Sequence, residues 1–177
     1  MHPETLVRSR RIYAGRVLGL RVDEVRLADG RTAQREIVDH PGAAVVVPLT
    51  DAGEVLMVRQ YRYAVGEPLL EVPAGTLEPG EEALACARRE LIEEVGAEAA
   101  RWDLLAVLYP SPGVLTEVMH LFLARRLTEG PPRGTEEEDL APQRLTLEDA
   151  VARVRRGDIR DAKSVAGLLL VADRLWR

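Results

Sequence analysis

One segment of this chain constrains its fold more than any other, because it spaces acidic and apolar residues along a single helix. At about 100° per residue, a helix over 81–95 puts Ala83, Leu91 and Val95 on one apolar stripe about 120° wide. Such a stripe packs against a hydrophobic core. Glu90 and Glu94 fall at about 340° and about 20° on the same scale, at the edge of that stripe. The segment therefore predicts an amphipathic helix with carboxylates at the border of the core.

These carboxylates predict a metal site. Glu93 lies beside Glu90 on the helix, so that with Glu94 three carboxylates follow one strip. Like charges at i, i+4 destabilise even an exposed helix by about 0.2–0.5 kcal/mol, and partial burial raises that cost. A divalent cation removes the repulsion, and hard oxygen ligands without a Cys or His cluster suit Mg²⁺ or Mn²⁺ rather than Zn²⁺. The alternative is a solvated acidic helix that binds no ion.

Residues 75–97 resemble the Nudix box, whose pattern is Gly-x5-Glu-x7-Arg-Glu-U-x-Glu-Glu-x-Gly-U, where U is a bulky aliphatic residue. The fixed positions of the pattern match Gly75, Glu81, Arg89, Glu90, Leu91, Glu93, Glu94 and Gly96. The last position holds Ala97, a smaller residue that affects packing rather than ligands. The similarity to the wider family extends over most of the chain and is weakest before about residue 12.

The resemblance implies an enzyme that hydrolyses a nucleoside diphosphate linked to another moiety, with two or more divalent ions. The residues that match the family's metal ligands are Glu81, Glu90, Glu93, Glu94 and the backbone carbonyl of Ala74. Arg89 is expected to orient a glutamate of the box through a salt bridge, and Gly75 lets the chain approach the helix closely. For Glu81, the alternative is simple stabilisation of the helix N-terminus.

Features outside the box resemble the ADP-ribose pyrophosphatase branch of the family. Pro112 lies 15 residues beyond Ala97, near the spacing at which the branch has a proline. Two Arg-containing stretches also resemble its substrate-binding segments. The residues that the resemblance implies for substrate binding are Arg35, Glu36, Arg62, Gly113 and Glu117. Arg62 is expected to contact the phosphates or the terminal ribose; an ordinary turn and surface arginines are the alternatives.

An acidic loop at 135–140 resembles one that brings a late glutamate to the site in the same branch. Glu136 is the predicted general base, Glu138 is the other candidate, and Glu93 and Arg89 complete the predicted catalytic set. A carboxylate with an ordinary pKa deprotonates water poorly unless metal ions lower the pKa of that water. The preceding Gly- and Pro-rich stretch predicts a mobile lid that closes on substrate.

The remaining pattern mixes strands and helices and predicts an α/β protein. Residues 17–39 are typical of a β-hairpin around an Asp29-Gly30 turn. The other predicted elements are strands at 43–49, 54–59, 69–72, 102–109 and 118–124, a long loop at 128–142, and helices at 146–156 and 161–176. Thr146 and Asp149 resemble a capping box with Asp in place of Glu, which predicts Thr146 as the cap of the first of these helices. The resemblance implies a Nudix α/β/α sandwich with a mixed central sheet. We expect residues 1–40 to form a small antiparallel β subdomain for dimerisation and substrate contact, and residues 41–177 to form the hydrolase domain.

Composition excludes several classes of function. The formal net charge of −5 argues against a general nucleic-acid binder. No apolar run approaches the roughly 18 residues of a membrane-spanning helix. Cys86 is the single cysteine, so a disulfide scaffold is excluded and a reducing cytoplasm is expected.

The resemblance to the ADP-ribose pyrophosphatase branch also implies a homodimer with exchanged N-terminal strands.

The expected function is Mg²⁺-dependent hydrolysis of ADP-ribose to AMP and ribose 5-phosphate. The nearest alternative is hydrolysis of another nucleoside diphosphate sugar such as GDP-mannose, because those enzymes share the box, the dimer and the acidic loop. A ligand-sensing Nudix domain without catalysis belongs to a different class of function. The complete set of glutamates in the box disfavours it.

Overall fold

A computed structural model describes residues 3–133 and 140–176, and within them the chain forms ten β-strands and three α-helices. The strands are β1 Thr5–Ala14, β2 Gly19–Arg26, β3 Thr32–Asp39, β4 Ala43–Leu49, β5 Glu54–Arg62, β6 Glu67–Glu71, β7 Ala74–Thr76, β8 Ala97–Leu108, β9 Met119–Glu129 and β10 Leu140–Thr146. The helices are α1 Ala83–Val95, α2 Leu147–Arg156 and α3 Ala162–Trp176. None of these helices has the length and apolar character needed to cross a membrane.

The chain divides into two compact units, the first comprising Met1–Gly42 and Tyr109–Val118 and the second the rest. The first unit contains an antiparallel sheet in the order β1-β2-β3. The predicted hairpin forms, with Arg26 opposite Thr32 across the turn. The amide of Val38 donates to the carbonyl of Val114 at 2.8 Å, which attaches the segment 109–118 to β3.

The second unit is built on a seven-stranded sheet in the order β10-β5-β4-β9-β8, with β6 on β5 and β7 on β4. Strands β4 and β9 pair in parallel, and the other described pairs are antiparallel. The sheet is therefore mixed, as the sequence predicted.

Helices cover both faces of this sheet because β4 is apolar on both sides, as in strands buried on both faces. Val45 and Val47 belong to the core under α2 and α3, whereas Ala44 and Val46 belong to the core under α1. All four side chains are fully buried. The alternation of successive side chains along a strand produces the two cores, and the predicted α/β/α sandwich is confirmed.

Several element predictions differ from the structure. The chain forms strand β1, which the sequence did not predict because Arg8, Arg10 and Arg11 interrupt its apolar alternation; pairing with β2 supplies its order. The predicted loop at 128–142 is too long, since β9 extends to Glu129 and β10 begins at Leu140. These strand ends lack apolar alternation and are held by their sheet neighbours.

Helix α1 also begins two residues later than predicted, since Glu82 has an extended backbone and is the N-cap. It ends as expected at Gly96, which has the left-handed conformation with φ 66°. Strand β8 begins directly after this glycine, five residues before the predicted strand. In α2, the predicted cap forms, because the Thr146 hydroxyl accepts the amide of Asp149 at 3.1 Å.

Candidate active site

The carboxylate strip lies on the face of α1 that turns toward the sheet. Leu91 anchors this face with no exposed surface, in the core that α1 shares with β4. Glu90 and Glu94 lie one turn apart beside it and are only 8% and 6% exposed. Glu93 is on the outer side of the strip, with 39% of its side chain exposed. Two like charges are thus buried together, which is a costly arrangement for a helix without a ligand.

Arg89 connects the acidic residues of this segment. Its guanidinium donates to Glu81 at 3.1 Å, to Glu90 at 2.5 Å and to Glu93 at 3.1 Å. The hydrogen bond with Glu81 is the main cause that raises the pKa of Arg89, and the same bond lowers the pKa of Glu81. One cation therefore contacts three anions, and its three contacts fix their relative positions.

Glu81 lies before the helix rather than in its first turn. Its carboxylate accepts the amide of Glu78 at 2.9 Å, which closes the turn that precedes α1. Its interaction with the helix runs through Arg89, eight residues along the chain. The described contacts of Glu81 are therefore with the turn before α1 and with Arg89.

Strand β7 brings the backbone to the strip. The amide of Ala74 donates to Glu94 at 3.3 Å. A Cβ atom added at Gly75 would overlap the carboxylate of Glu90. Glycine is therefore the residue that allows the carboxylate to occupy this position. The close approach expected of Gly75 is therefore present.

The donor set of the strip fits a hard divalent cation. It consists of carboxylate and backbone oxygens, which Mg²⁺ and Mn²⁺ prefer. The absence of a side chain at Gly75 leaves space for the carboxylate of Glu90 beside the backbone. Within residues 3–133 and 140–176, no three His, Cys, Asp or Glu side chains already converge as a ready metal cage. Glu81, Glu90 and Glu93 each form an ion pair with Arg89.

Arg62, a predicted substrate-binding residue, lies at the end of β5. Its Nε and Nη2 atoms donate to the two carboxylate oxygens of Glu71 at 2.7 and 2.6 Å. This hydrogen bonding is the main cause that raises the pKa of Arg62, and the charge of Glu94 adds to the effect. The structure thus brings Arg62 near the carboxylate strip.

Sequence reasoning missed Glu71, whose side chain is only 1% exposed. It accepts hydrogen bonds from Arg62 and from Lys163, a residue 92 positions away. A signal for Glu71 was present, because a charged residue inside an apolar strand requires a buried partner. The sequence also distinguishes Lys163, because it is the single lysine of an Arg-rich chain.

The other predicted substrate-binding residues belong to the first unit. Arg35 pairs with Glu4, with Nη2 to Oε1 at 2.5 Å, and Glu36 is exposed on β3. Gly113 lies in an exposed turn, and Glu117 lies 3.9 Å from the Nδ1 atom of His40. The same unit has a cavity of about 430 Å³, whose lining includes Arg11, Val17, Leu18, His40 and Thr116.

The predicted general bases Glu136 and Glu138 lie outside the described residues. Of the Gly- and Pro-rich stretch expected to form a lid, residues 130–133 are described, and the amide of Gly130 donates to the carbonyl of Gly96 at 2.7 Å. The roles of the two glutamates and of the lid stay predictions.

Comparison with known proteins decides the family. A model described as "NUDIX domain" matches residues 39–168, which include α1 and the whole box. The chain belongs to the Nudix family. A second model, "Nucleoside diphosphate sugar hydrolase N-terminal domain", matches residues 4–38. The predicted membership is confirmed, and the protein is a Nudix pyrophosphohydrolase. Nudix hydrolases generally need divalent metal ions, which agrees with the oxygen donors on α1.

Several curated Nudix relatives align with most of the chain. The ADP-ribose pyrophosphatase of Bacillus subtilis (strain 168) is 39% identical over 163 residues, covering 91% of this chain and 88% of the relative. The ADP-ribose pyrophosphatase of Mycobacterium tuberculosis (strain ATCC 25618 / H37Rv) is 38% identical, covering 96% and 84%. The GDP-mannose pyrophosphatase of Cronobacter sakazakii (strain ATCC BAA-894) is 38% identical over 144 residues, covering 75% and 74%.

A solved structure supports the fold independently. The crystal structure titled "ADP compounds hydrolase" superposes with a TM-score of 0.86 and covers 99% of this chain and 96% of that one. The two sequences are 24% identical, so this similarity concerns the fold.

Proposed function

We propose that this Nudix pyrophosphohydrolase uses Mg²⁺ to hydrolyse the pyrophosphate of ADP-ribose, giving AMP and ribose 5-phosphate. The observation that carries the chemistry is the buried pair Glu90 and Glu94 against the backbone at Gly75. Two relatives named ADP-ribose pyrophosphatase, at 38% and 39% identity over nearly the whole chain, support the choice of substrate.

The groups that would hold two or more Mg²⁺ or Mn²⁺ ions are Glu81, Glu90, Glu93, Glu94 and the carbonyl of Ala74. When bound, such ions neutralise the pyrophosphate oxygens and make a water molecule a stronger nucleophile at neutral pH. Arg89 fixes three of the carboxylates relative to one another before substrate binds, which is the preorganisation that an electrostatic site requires.

Arg62 is assigned to the phosphates or the terminal ribose of the substrate. Glu71 holds its Nε and Nη2 atoms, and the side chain remains 38% exposed, so part of it is accessible to an anion. A guanidinium held in this way loses little conformational freedom when it binds a phosphate. The assignment of Arg35, Glu36, Gly113 and Glu117 to substrate binding rests on the family resemblance.

We infer a homodimer in which the N-terminal strands take part. Support comes from β1, an edge strand whose residues are all exposed, among them the apolar Leu6, Val7, Ile12 and Tyr13. Exposed apolar residues on an edge strand favour pairing with a second chain.

The buried, free thiol of Cys86 agrees with a cytoplasmic location.

Glu136→Gln is expected to lower kcat about 100-fold while changing KM by less than about threefold, as for loss of a general base. The amide keeps the size of the side chain but cannot accept the proton of water. Glu138→Gln is the matched control in the same acidic loop and is expected to retain activity. Steady-state kinetics with ADP-ribose check both. A large loss in Glu138→Gln alone would assign the base to Glu138.

The test of the function is a hydrolysis panel in excess Mg²⁺, compared by kcat/KM. It contains ADP-ribose, GDP-mannose, a dinucleoside diphosphate and a nucleoside triphosphate. We expect ADP-ribose to be preferred. Preference for GDP-mannose, which the similarity to a GDP-mannose pyrophosphatase makes the second candidate, would retain the metal chemistry and reject the substrate. Binding without turnover of any compound would indicate a ligand-sensing domain.

A further inference from the structure

A partly buried cluster of four charged side chains links β5 and β6 with the start of α3. Glu71 is at its centre, with 1% of its side chain exposed. Arg62 approaches this carboxylate from one side with two hydrogen bonds, and the ammonium of Lys163 bonds to Oε2. Lys163 is itself only 13% exposed and lies 3.0 Å from Asp161. Two cations and two anions are thus balanced, with Glu71 buried and Arg62 the most exposed of the four side chains.

The same cluster is tied to the backbone that leads to the box. Asp161 accepts the hydroxyl of Ser164 at 2.6 Å and its amide at 3.0 Å, which fixes the first turn of α3. The amide of Val72 in turn donates to the hydroxyl of Ser164 at 2.8 Å. Lys163 therefore occupies a fixed position relative to the end of β6.

The charges explain why a lysine is needed there. Burial by itself would raise the pKa of Glu71, but the hydrogen bonds and charges of Arg62 and Lys163 reverse the effect and lower it. Asp161 also acts on Arg62, because its charge helps to raise the pKa of that arginine. Without Lys163, Asp161 would lose a cation at 3.0 Å and compete with Glu71 for Arg62. Uncompensated buried charge is costly enough to drive such a rearrangement.

We propose that Lys163 is a positioning residue for substrate binding, which keeps Arg62 paired with Glu71 by neutralising Asp161 and by sharing the Oε2 atom of Glu71 with Arg62. The proposal deepens the proposed function and rests on it in one respect, namely that Arg62 binds the substrate. In this role Lys163 does not contact the substrate. Its effect is transmitted through Glu71 to the guanidinium of Arg62.

The first test is kinetic, with ADP-ribose as substrate. Lys163→Met is expected to raise KM about tenfold with kcat within about twofold, as for loss of uniform binding, and Lys163→Arg should restore KM to within about threefold. In an Arg62→Gln background, Lys163→Met should change KM no further, since residues that act through one contact are not additive. Arg160→Gln removes an exposed pair with Glu67 and is the matched control, expected to be neutral.

A second variant separates positioning from folding. Lys163→Met combined with Asp161→Asn removes the competing anion and restores the charge balance. The KM of this double variant should therefore return most of the way to the wild-type value. The thermal unfolding midpoint of each variant is measured alongside. The proposal would be overturned in favour of a structural role if the rise in KM paralleled a fall in the unfolding midpoint and Asp161→Asn did not reverse it.

The third readout does not depend on turnover. The Nε–H signal of Arg62, identified by its absence in Arg62→Gln, reports the Glu71 pair in a ¹H–¹⁵N NMR spectrum. We expect this signal to shift and exchange faster with solvent in Lys163→Met, and to return in the double variant with Asp161→Asn. An unchanged signal in Lys163→Met would overturn the proposal. If the wild type hydrolysed no nucleoside diphosphate sugar, the proposed function would fail, and this signal would still decide the role of Lys163.

Discussion

Replacing Glu94 or Glu90 with Gln is expected to lower kcat/KM about a thousandfold, which corresponds to several kcal/mol of transition-state stabilisation. Glutamine preserves the size and one acceptor oxygen of each side chain, so the bond from the amide of Ala74 to position 94 can persist. It removes the negative charge that a divalent ion requires. Because both glutamates are buried near other carboxylates, each change also reduces repulsion in the metal-free protein.

The measurement is steady-state kinetics in excess Mg²⁺, with thermal unfolding in EDTA beside it. The unfolding midpoint of each variant should equal or exceed that of the wild type. Glu82→Gln is the matched control, because Glu82 is exposed at the start of the same helix and makes no side-chain cap. Full activity in both Glu90→Gln and Glu94→Gln would refute the metal site.

Gly75→Ala is expected to cause a similar loss, on the order of a thousandfold in kcat/KM, with a small effect on stability. The added methyl group would occupy the place of the Glu90 carboxylate. That carboxylate is the end of a flexible side chain, so it can move at modest cost to the fold. Movement, however, takes it out of its contact with Arg89 and out of the ligand set.

Gly130→Ala is the control for this variant, since a methyl group there makes only an ordinary contact at 3.7 Å with the carbonyl of Gly96. Kinetics and unfolding are compared as for the glutamate variants. Once Glu90 is already Gln, adding Gly75→Ala should cost little further activity, because both changes remove the same group. Additive losses would mean that Gly75 serves the site in some way other than by making room for Glu90.

The local features of the fold were predictable where the sequence carries a strong period or cap. The spacing of Ala83, Leu91, Glu90 and Glu94 predicted one helix with a buried apolar stripe and a carboxylate strip, and α1 has both. Thr146 was predicted as an N-cap from its residue type and its spacing to Asp149, and the cap forms. Such features depend on neighbours within one or two turns, which the sequence displays directly.

The strands at the sheet edges were less predictable. Strand β1 has three arginines among ten residues, and its order comes from pairing with β2. Similarly, β10 starts inside a stretch rich in Gly, Pro and Glu because Leu140 pairs with Gln60 on β5. Strand formation depends on partners distant in sequence, so residue type is a weak guide there.

The sequence by itself determined the chemistry of this protein: an oxygen-rich strip on one helix face, and an arginine placed to balance it. Only the tertiary structure decided how that strip is assembled with the rest of the chain. It brought Gly75 against Glu90, made Arg89 the shared partner of three glutamates, and joined Arg62 to Lys163 through the buried Glu71. The physical reason is range. Helix periodicity is encoded within a few residues, whereas a buried charge acquires its meaning from partners that only the folded chain brings near.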